Sequence, residues 1–241
     1  KGKKIVKRGV VELVTPGVAL TDQLLESKGN NFLAALSFSK DKTGVAFLDI
    51  STGEFYVAEG ELKYISKLVH DYSPSEILYT RKHDSLFQDN FKTKAYTFRL
   101  DEWVFQKDFA IEKLNQHFGT KTLKGFGISN MNMAIISGGA ILHYLTTAEH
   151  HNTSHVSSIQ RIDRDNHVWM DDFTISNLEL IHSTNYNGHT LVEVLDHTST
   201  AMGGRLLKKW LLFPLISSSK INDRLDMVCL LYTSDAADDG L

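Results

Sequence analysis

The densest hydrophobic patterning lies between residues 31 and 57. Val45 and Phe47 alternate with Ala46, Leu48 and Ile50, so a strand there presents apolar side chains to both faces of a sheet. Ser51, Thr52 and Gly53 supply turn chemistry, and residues 54–57 return as a second strand. Residues 31–38 predict another strand before these two, turning at residues 40–42. A meander apolar on both faces needs helices above and below it. The following hundred residues carry that pattern.

Leu62, Ile65, Val69 and Tyr72 recur at helical spacing, with Pro74 as the stop. Residues 76–80 read as the strand that follows a crossover helix. Residues 84–91 suggest a short helix and 94–99 a short extended piece. Asp108 is placed as the N-cap of a helix with Ile111, Leu114 and Phe118 on one face, closed by Gly119. A longer helix, capped by Ser129 or Asn130, carries Met131, Ile135, Gly138, Ile141 or Leu142, Leu145 and Ala148. Its Gly138 and Gly139 each cost about 1 kcal/mol relative to alanine. They are expected where the helix lies close against the sheet. Upstream, residues 10–14 read as a short strand ending in the Pro16-Gly17 turn.

The pattern changes at residues 149–158, which are polar and aperiodic and predict a linker. Beyond it, residues 167–170 are extended. Asp172 opens a helix with Ile175, Leu178 and Ile181 facing inward. Thr190 begins a short helix with Leu191, Val194 and Leu195. Met202, Leu206, Trp210 and Phe213 form the apolar stripe of a helix ended by Pro214. A last helix from about residue 217 uses Ile221, Leu225 and Val228. Residues 231–241 fall outside that periodicity and read as a non-native tail. The expectation is two joined domains, one α/β and one all-helical.

Composition changes this picture little. The 241 residues are 42% hydrophobic and 23% charged, enough for more than one core. The chain opens at Lys1 without methionine and is taken as an interior piece of a longer protein. Its one cysteine, Cys229, excludes an internal disulfide framework, favours a reducing compartment and is expected to be a buried, inert thiol. The longest apolar run, residues 133–145, is broken by Ser137 and His143 and is too short to span a bilayer. A net charge of −3 offers no overall basic footprint for nucleic acid. A soluble, cytoplasmic protein without a membrane partner is expected.

Candidate chemistry is sparse. No phosphate loop of the G-x-x-x-x-G-K-[ST] kind is present, and Gly125-Phe-Gly127 before a helix lacks its lysine. A meander followed by a helix and a strand invites comparison with ribonuclease-H-like nucleases, which need converging carboxylates for two metal ions. Asp49 stands alone on its strand, with Glu76 and Asp101 as poor companions, so a fold without the metal site is expected. His151 and His155 would share a helix face, with His150 adjacent, but no ligand set at zinc spacing accompanies them. Arg205, Lys208 and Lys209 form a basic helix face that could touch DNA phosphates. The basic cluster Lys1, Lys3, Lys4, Lys7 and Arg8 reads as protection of an edge strand. Catalytic, cofactor and metal residues are expected to be none.

An ordered series of motifs spans nearly the whole chain. It comprises Val6-Lys-Arg-Gly-Val10, Leu13-Val-Thr-Pro-Gly17, Asn31-Phe-Leu-Ala-Ala35, Phe47-Leu-Asp-Ile-Ser-Thr-Gly-Glu-Phe55, His117-Phe-Gly119, Gly125-Phe-Gly127, Asn177-Leu-Glu179, Thr200-Ala-Met-Gly203 and Arg205-Leu-Leu-Lys-Lys-Trp-Leu211 with Pro214. In this the chain resembles the MutS DNA mismatch-repair family. Ala201 stands where that family usually has proline, a change a helix start tolerates.

The resemblance implies that residues 1–19 are the end of the mismatch-binding domain and a linker, and 20–150 a connector domain. That connector would be α/β, with a ribonuclease-H-like mixed sheet, covering helices and no nuclease residues. Residues 151–166 would be a linker, 167–230 the start of an all-α lever, or core, domain, and 231–241 the non-native tail. The family's mismatch wedge would lie upstream, and its clamp and ATPase domain downstream. The resemblance further implies a homodimeric parent that recognises mismatched double-stranded DNA, uses ATP and Mg, and signals to a MutL-type protein. This piece would relay conformational change and offer the MutL surface, without catalysis of its own. Its alternatives are a metal-dependent nuclease or an unrelated interaction module.

Overall fold

Apolar alternation on both faces gives the meander its place at the centre of the first unit. β1 (Phe32–Phe38), β2 (Thr43–Asp49) and β3 (Glu54–Gly60) pair antiparallel, with Leu36 opposite Val45 and Phe47 opposite Tyr56. The computed structural model describes residues 14–18, 28–148, 153–183, 185 and 188–238. Gly53, at φ +77°, makes the β2–β3 turn, and its N–H donates to the Asp49 carbonyl at 2.8 Å. The predicted strand at 10–14 lies, save Val14, outside the described residues.

β4 (Glu76–Thr80) pairs parallel with β1 and β5 (Tyr96–Leu100) parallel with β4. β6 (Gln160–Arg161) joins the far edge parallel to β3. The order is β5-β4-β1-β2-β3-β6. α1 (Leu62–Tyr72) is the crossover before β4, closed by Ser73 in the left-handed region, and α2 (Asp84–Asn90) precedes β5.

The two sheet faces have different fillings. On the α1 face Tyr72 stacks on Phe47 at 4.5 Å, with Phe32 edge-on to both rings. On the other face Leu33, Ala35, Ala46, Leu48 and Phe55 share a core with α3 (Lys107–Phe118) and α4 (Asn132–Thr147). Gln106, not Asp108, occupies the N-cap position of α3, without a side-chain capping bond; Asp108 sits in its first turn, where a carboxylate favours the helix N-terminus. Gly119 closes the helix at φ +63° as expected. α4 begins at Asn132, later than the cap expected at Ser129 or Asn130, and an N–H of its first turn is satisfied from outside. Glu59 Oε2 accepts from Met133 N–H at 2.7 Å, and Lys42 pairs with the other oxygen at 2.9 Å.

The close approach of α4 to the sheet is made by Gly44, where a Cβ would lie 2.2 Å from the Met133 carbonyl carbon. Gly139 instead faces α3: its Cβ would lie 2.5 Å from Ala110 Cα and Cβ. The polar stretch read as a linker belongs in part to this unit. Val156 and Ile159 are buried in its core, and His117 Nε2 donates to the Val156 carbonyl at 2.8 Å. The chain divides after Ile162 into Lys1–Ile162 and Asp163–Leu241.

The second unit is built from α5 (Asp172–Asn177), α6 (Leu191–Leu195), α7 (Ala201–Leu212) and α8 (Ser218–Asp238). Val168 N–H donates to the Pro214 carbonyl at 2.8 Å, tying the unit's start to the end of α7. Its core is small: Ile175, Leu180 and Leu212, with Met170, Ile181 and Phe213 against them. Several side chains expected to face inward are exposed here, among them Leu178, Met202 (72%), Leu206 and Leu225 (60%). Cys229 is likewise exposed, not buried. The backbone of residues 231–238 continues α8, although these residues fall outside the apolar periodicity of its earlier part.

Candidate functional site

Sequence patterning does not reveal the most distinctive surface of the first unit. β5 is the edge strand, and its Tyr96 and Phe98 are two residues apart, hence on one face, and exposed. Trp103 follows in a 3₁₀ turn, 52% exposed, with its ring edge-on to Phe109 of α3 at 5.1 Å and to His143 of α4 at 4.9 Å. Phe98 reaches Tyr144 at 5.4 Å, and Lys113 Nζ lies 5.7 Å from the Phe109 ring centre. Burial, aided by Lys113, lowers the His143 pKa, so at neutral pH the ring is uncharged and packs as an aromatic. Rigid aromatic groups with apolar bodies and polar tips suit protein recognition.

A cavity of about 170 Å³ opens beside the carboxyl ends of parallel β1 and β4. Ser37, Thr80, His83, Phe105 and Met133 line it. The Thr80 hydroxyl and His83 Nδ1 share a 2.6 Å hydrogen bond, and burial followed by the Lys82 charge lowers the His83 pKa. Ser37 Oγ donates to the Met133 carbonyl at 2.7 Å, which leaves it no base as partner.

The acidic candidates do not make a metal centre. Asp49 is buried and accepts from Asn30 Nδ2 at 2.9 Å, Asn31 N–H at 3.2 Å and both N–H and hydroxyl of Ser51 at 2.9 and 2.6 Å. Glu76 is held by Thr15, Gly17 and Tyr144. Asp101 is exposed at the N-cap position of the 3₁₀ turn Glu102–Phe105, and its side chain makes no capping hydrogen bond there. Among the described residues no three His, Cys, Asp or Glu side chains gather as metal ligands. His155 Nε2 donates to the Ile50 carbonyl at 2.6 Å; His150 and His151 lie outside the described residues. Gly127 adopts φ +70°, and the helix start after it is already occupied by the Glu59 carboxylate.

On α7, Arg205, Lys208 and Lys209 are all half-buried. His167 has its pKa lowered by burial first and, against the raising hydrogen bond with the Asp163 backbone, by the charges of Arg224, Lys209 and Lys220. Lys220 Nζ donates to Asn166 Oδ1 at 2.6 Å, and the Arg224 guanidinium lies 4.6 Å from the Trp210 ring centre. Lys220 and Arg224 come from α8, so a search along one helix face misses them.

The described residues thus form a mixed sheet covered by helices, followed by a separate helical unit. The family model for MutS domain II matches residues 31–157 and that for MutS domain III matches 173–241. The chain belongs to the MutS DNA mismatch-repair family. It is 52% identical over 229 residues to the DNA mismatch repair protein MutS of Christiangramia forsetii, covering 95% of this chain and 26% of that protein. The corresponding protein of Bacteroides thetaiotaomicron is 52% identical over 226 residues, 94% of this chain and 26% of its own length. That of Flavobacterium johnsoniae is 50% identical over 232 residues, 96% and 27%. The chain thus spans about a quarter of the length of these relatives. Among its described residues no helix is long and apolar enough to cross a membrane.

Proposed function

We propose that this chain is the connector and first part of the lever of a MutS-type mismatch-repair protein. It passes conformational change between domains and receives a MutL-type partner. The observation that carries this reading is the order of the two matches, domain II then domain III, which fall on two separately packed units. The order β3-β2-β1-β4-β5, antiparallel and then parallel, supports a ribonuclease-H-like arrangement of the first unit. The parent is a cytoplasmic homodimer that binds mismatched double-stranded DNA and hydrolyses ATP with Mg at a site outside these residues. Arg205, Lys208 and Lys209 are its phosphate contacts in the second unit. Nuclease chemistry draws no support here, because the Asp49 and Glu76 oxygens are already taken by hydrogen-bond donors.

The ledge of Tyr96, Phe98 and Trp103 is the surface we assign to the MutL-type protein. Its test uses the full-length parent with Tyr96→Ala and Trp103→Ala, two exposed positions. Binding of the MutL-type partner to mismatch-loaded parent should weaken about tenfold or more, the loss typical of interface anchors. Affinity for the mismatched duplex should not change. Partner binding at the unsubstituted level overturns the assignment.

A further inference from the structure

Three elements distant in sequence meet on one buried carboxylate. Glu76, the first residue of β4, is fully buried. Its Oε2 accepts from the Thr15 hydroxyl at 2.5 Å and from Gly17 N–H at 3.0 Å. Its Oε1 accepts from the Tyr144 hydroxyl of α4 at 2.7 Å, and the Thr15 and Tyr144 hydroxyls are 3.3 Å apart. All three donors are neutral. A buried carboxylate satisfied by neutral donors depends on keeping each of them.

Two of the three come from the strap at residues 15–18. The strap is seated as one piece: Asn31 Nδ2 donates to the Pro16 carbonyl at 2.8 Å, Val18 N–H donates to the Thr15 carbonyl at 3.1 Å, and Val18 is fully buried. Gly17 lies against the carboxylate stem so closely that a Cβ would sit 2.7 Å from Glu76 Cβ. On the far side, the Tyr144 ring packs on Phe98, at 5.4 Å, in the exposed aromatic ledge.

We infer that Glu76 is a latch between the strap and the ledge. With the strap seated, Glu76 holds Tyr144 and Tyr144 supports Phe98. With the strap withdrawn, the carboxylate loses two donors, Tyr144 becomes its remaining partner, and the support of Phe98 changes. This is a two-state contact whose equilibrium both ends bias, which is the physical requirement for coupling. Its purpose rests on the reading above, in which the mismatch-binding part precedes the strap and a partner docks on the ledge. Its existence does not.

The test is amide exchange by NMR on this chain, in Thr15→Val, Glu76→Gln and the conservative Thr15→Ser. Thr15→Val and Glu76→Gln should speed exchange at Gly17 and Val18 about tenfold or more, and should also raise it at Phe98, while Leu36 and Val45 keep their rates. Thr15→Ser, which retains the hydroxyl, should match the unsubstituted chain. Unchanged Gly17 and Val18 rates, or an equal rise at Leu36 and Val45, overturn the latch. A rise confined to the strap, without Phe98, overturns its link to the ledge. In the full-length parent, Thr15→Val should reduce partner binding that depends on a mismatch and leave mismatch affinity unchanged. A parent with no mismatch preference defeats the functional reading but leaves the exchange result standing.

Discussion

Adjacent glycines in α4 carry opposite constraints, and local geometry decides the sign of the same substitution. A methyl at Gly139 would lie 2.5 Å from backbone and Cβ of Ala110, so α3 and α4 would have to separate. Overpacking of that kind costs about 1–3 kcal/mol, more than the gain of about 1 kcal/mol in helix propensity. A methyl at Gly138 would meet Ile159, Leu114 and Phe55 at 3.5–3.6 Å, ordinary contact distances. Gly139→Ala should therefore lower stability by up to about 2 kcal/mol, and Gly138→Ala should raise it by about 0.5–1 kcal/mol. Urea denaturation checks both, and shifts of the same sign would contradict the packing described. The need for a close approach here is legible in the sequence, but its partner is not. α4 is buried around most of its girth, and such a helix has no polar face to show which side meets the sheet.

At the scale of elements, alternation and helical spacing locate the meander, α1 and α3, because each buries a clear set of side chains, and they locate α7 although its stripe is largely exposed. They fail where a segment is held by groups from elsewhere. The stretch read as a linker, residues 149–158, looks so because Val156 is its one apolar side chain, yet the His117 contact at Val156 and the pairing of β6 with β3 just beyond fix its described end in place. The aromatic ledge is hidden for the complementary reason: nothing in the spacing of Tyr96 and Phe98 says that β5 is an edge. α6 is the opposite case, a helix of five residues announced by its cap. Thr190 Oγ1 accepts from Glu193 N–H at 3.2 Å and Glu193 Oε2 accepts from Thr190 N–H at 3.0 Å. So short a helix has little stability of its own. Thr190→Ala should cost about 1 kcal/mol, read as a lower denaturation midpoint of the second unit alone. Thr190→Ser should restore most of it, and an unchanged midpoint in Thr190→Ala would show the box to be idle.

At the scale of the whole chain, the two units differ in how much apolar surface they bury. The first carries a core filled from both faces of a sheet, whereas the core of the second, among the described residues, is Ile175, Leu180 and Leu212 with a few partly buried neighbours. Meanwhile Met202 and Leu206 on α7, and Ile221, Leu225 and Val228 on α8, recur at helical spacing and are exposed. Apolar burial stabilises by about 25 cal/mol per Å², so side chains left in water contribute nothing to holding their helices. The second unit should therefore open first. Amides of α7 should exchange at least about tenfold faster than those of β1 and β2, and urea should unfold the chain in two steps. A single transition with equal protection in both units would refute this. The same stripes have the spacing of faces made for packing, in a chain that spans about a quarter of its relatives' length. Extending the chain into the residues that follow it in the parent should then slow exchange in α7 and α8 and leave β1 and β2 unchanged. If α7 protection stays where it was, the stripes are not covered by that segment, and their exposure belongs to the second unit itself.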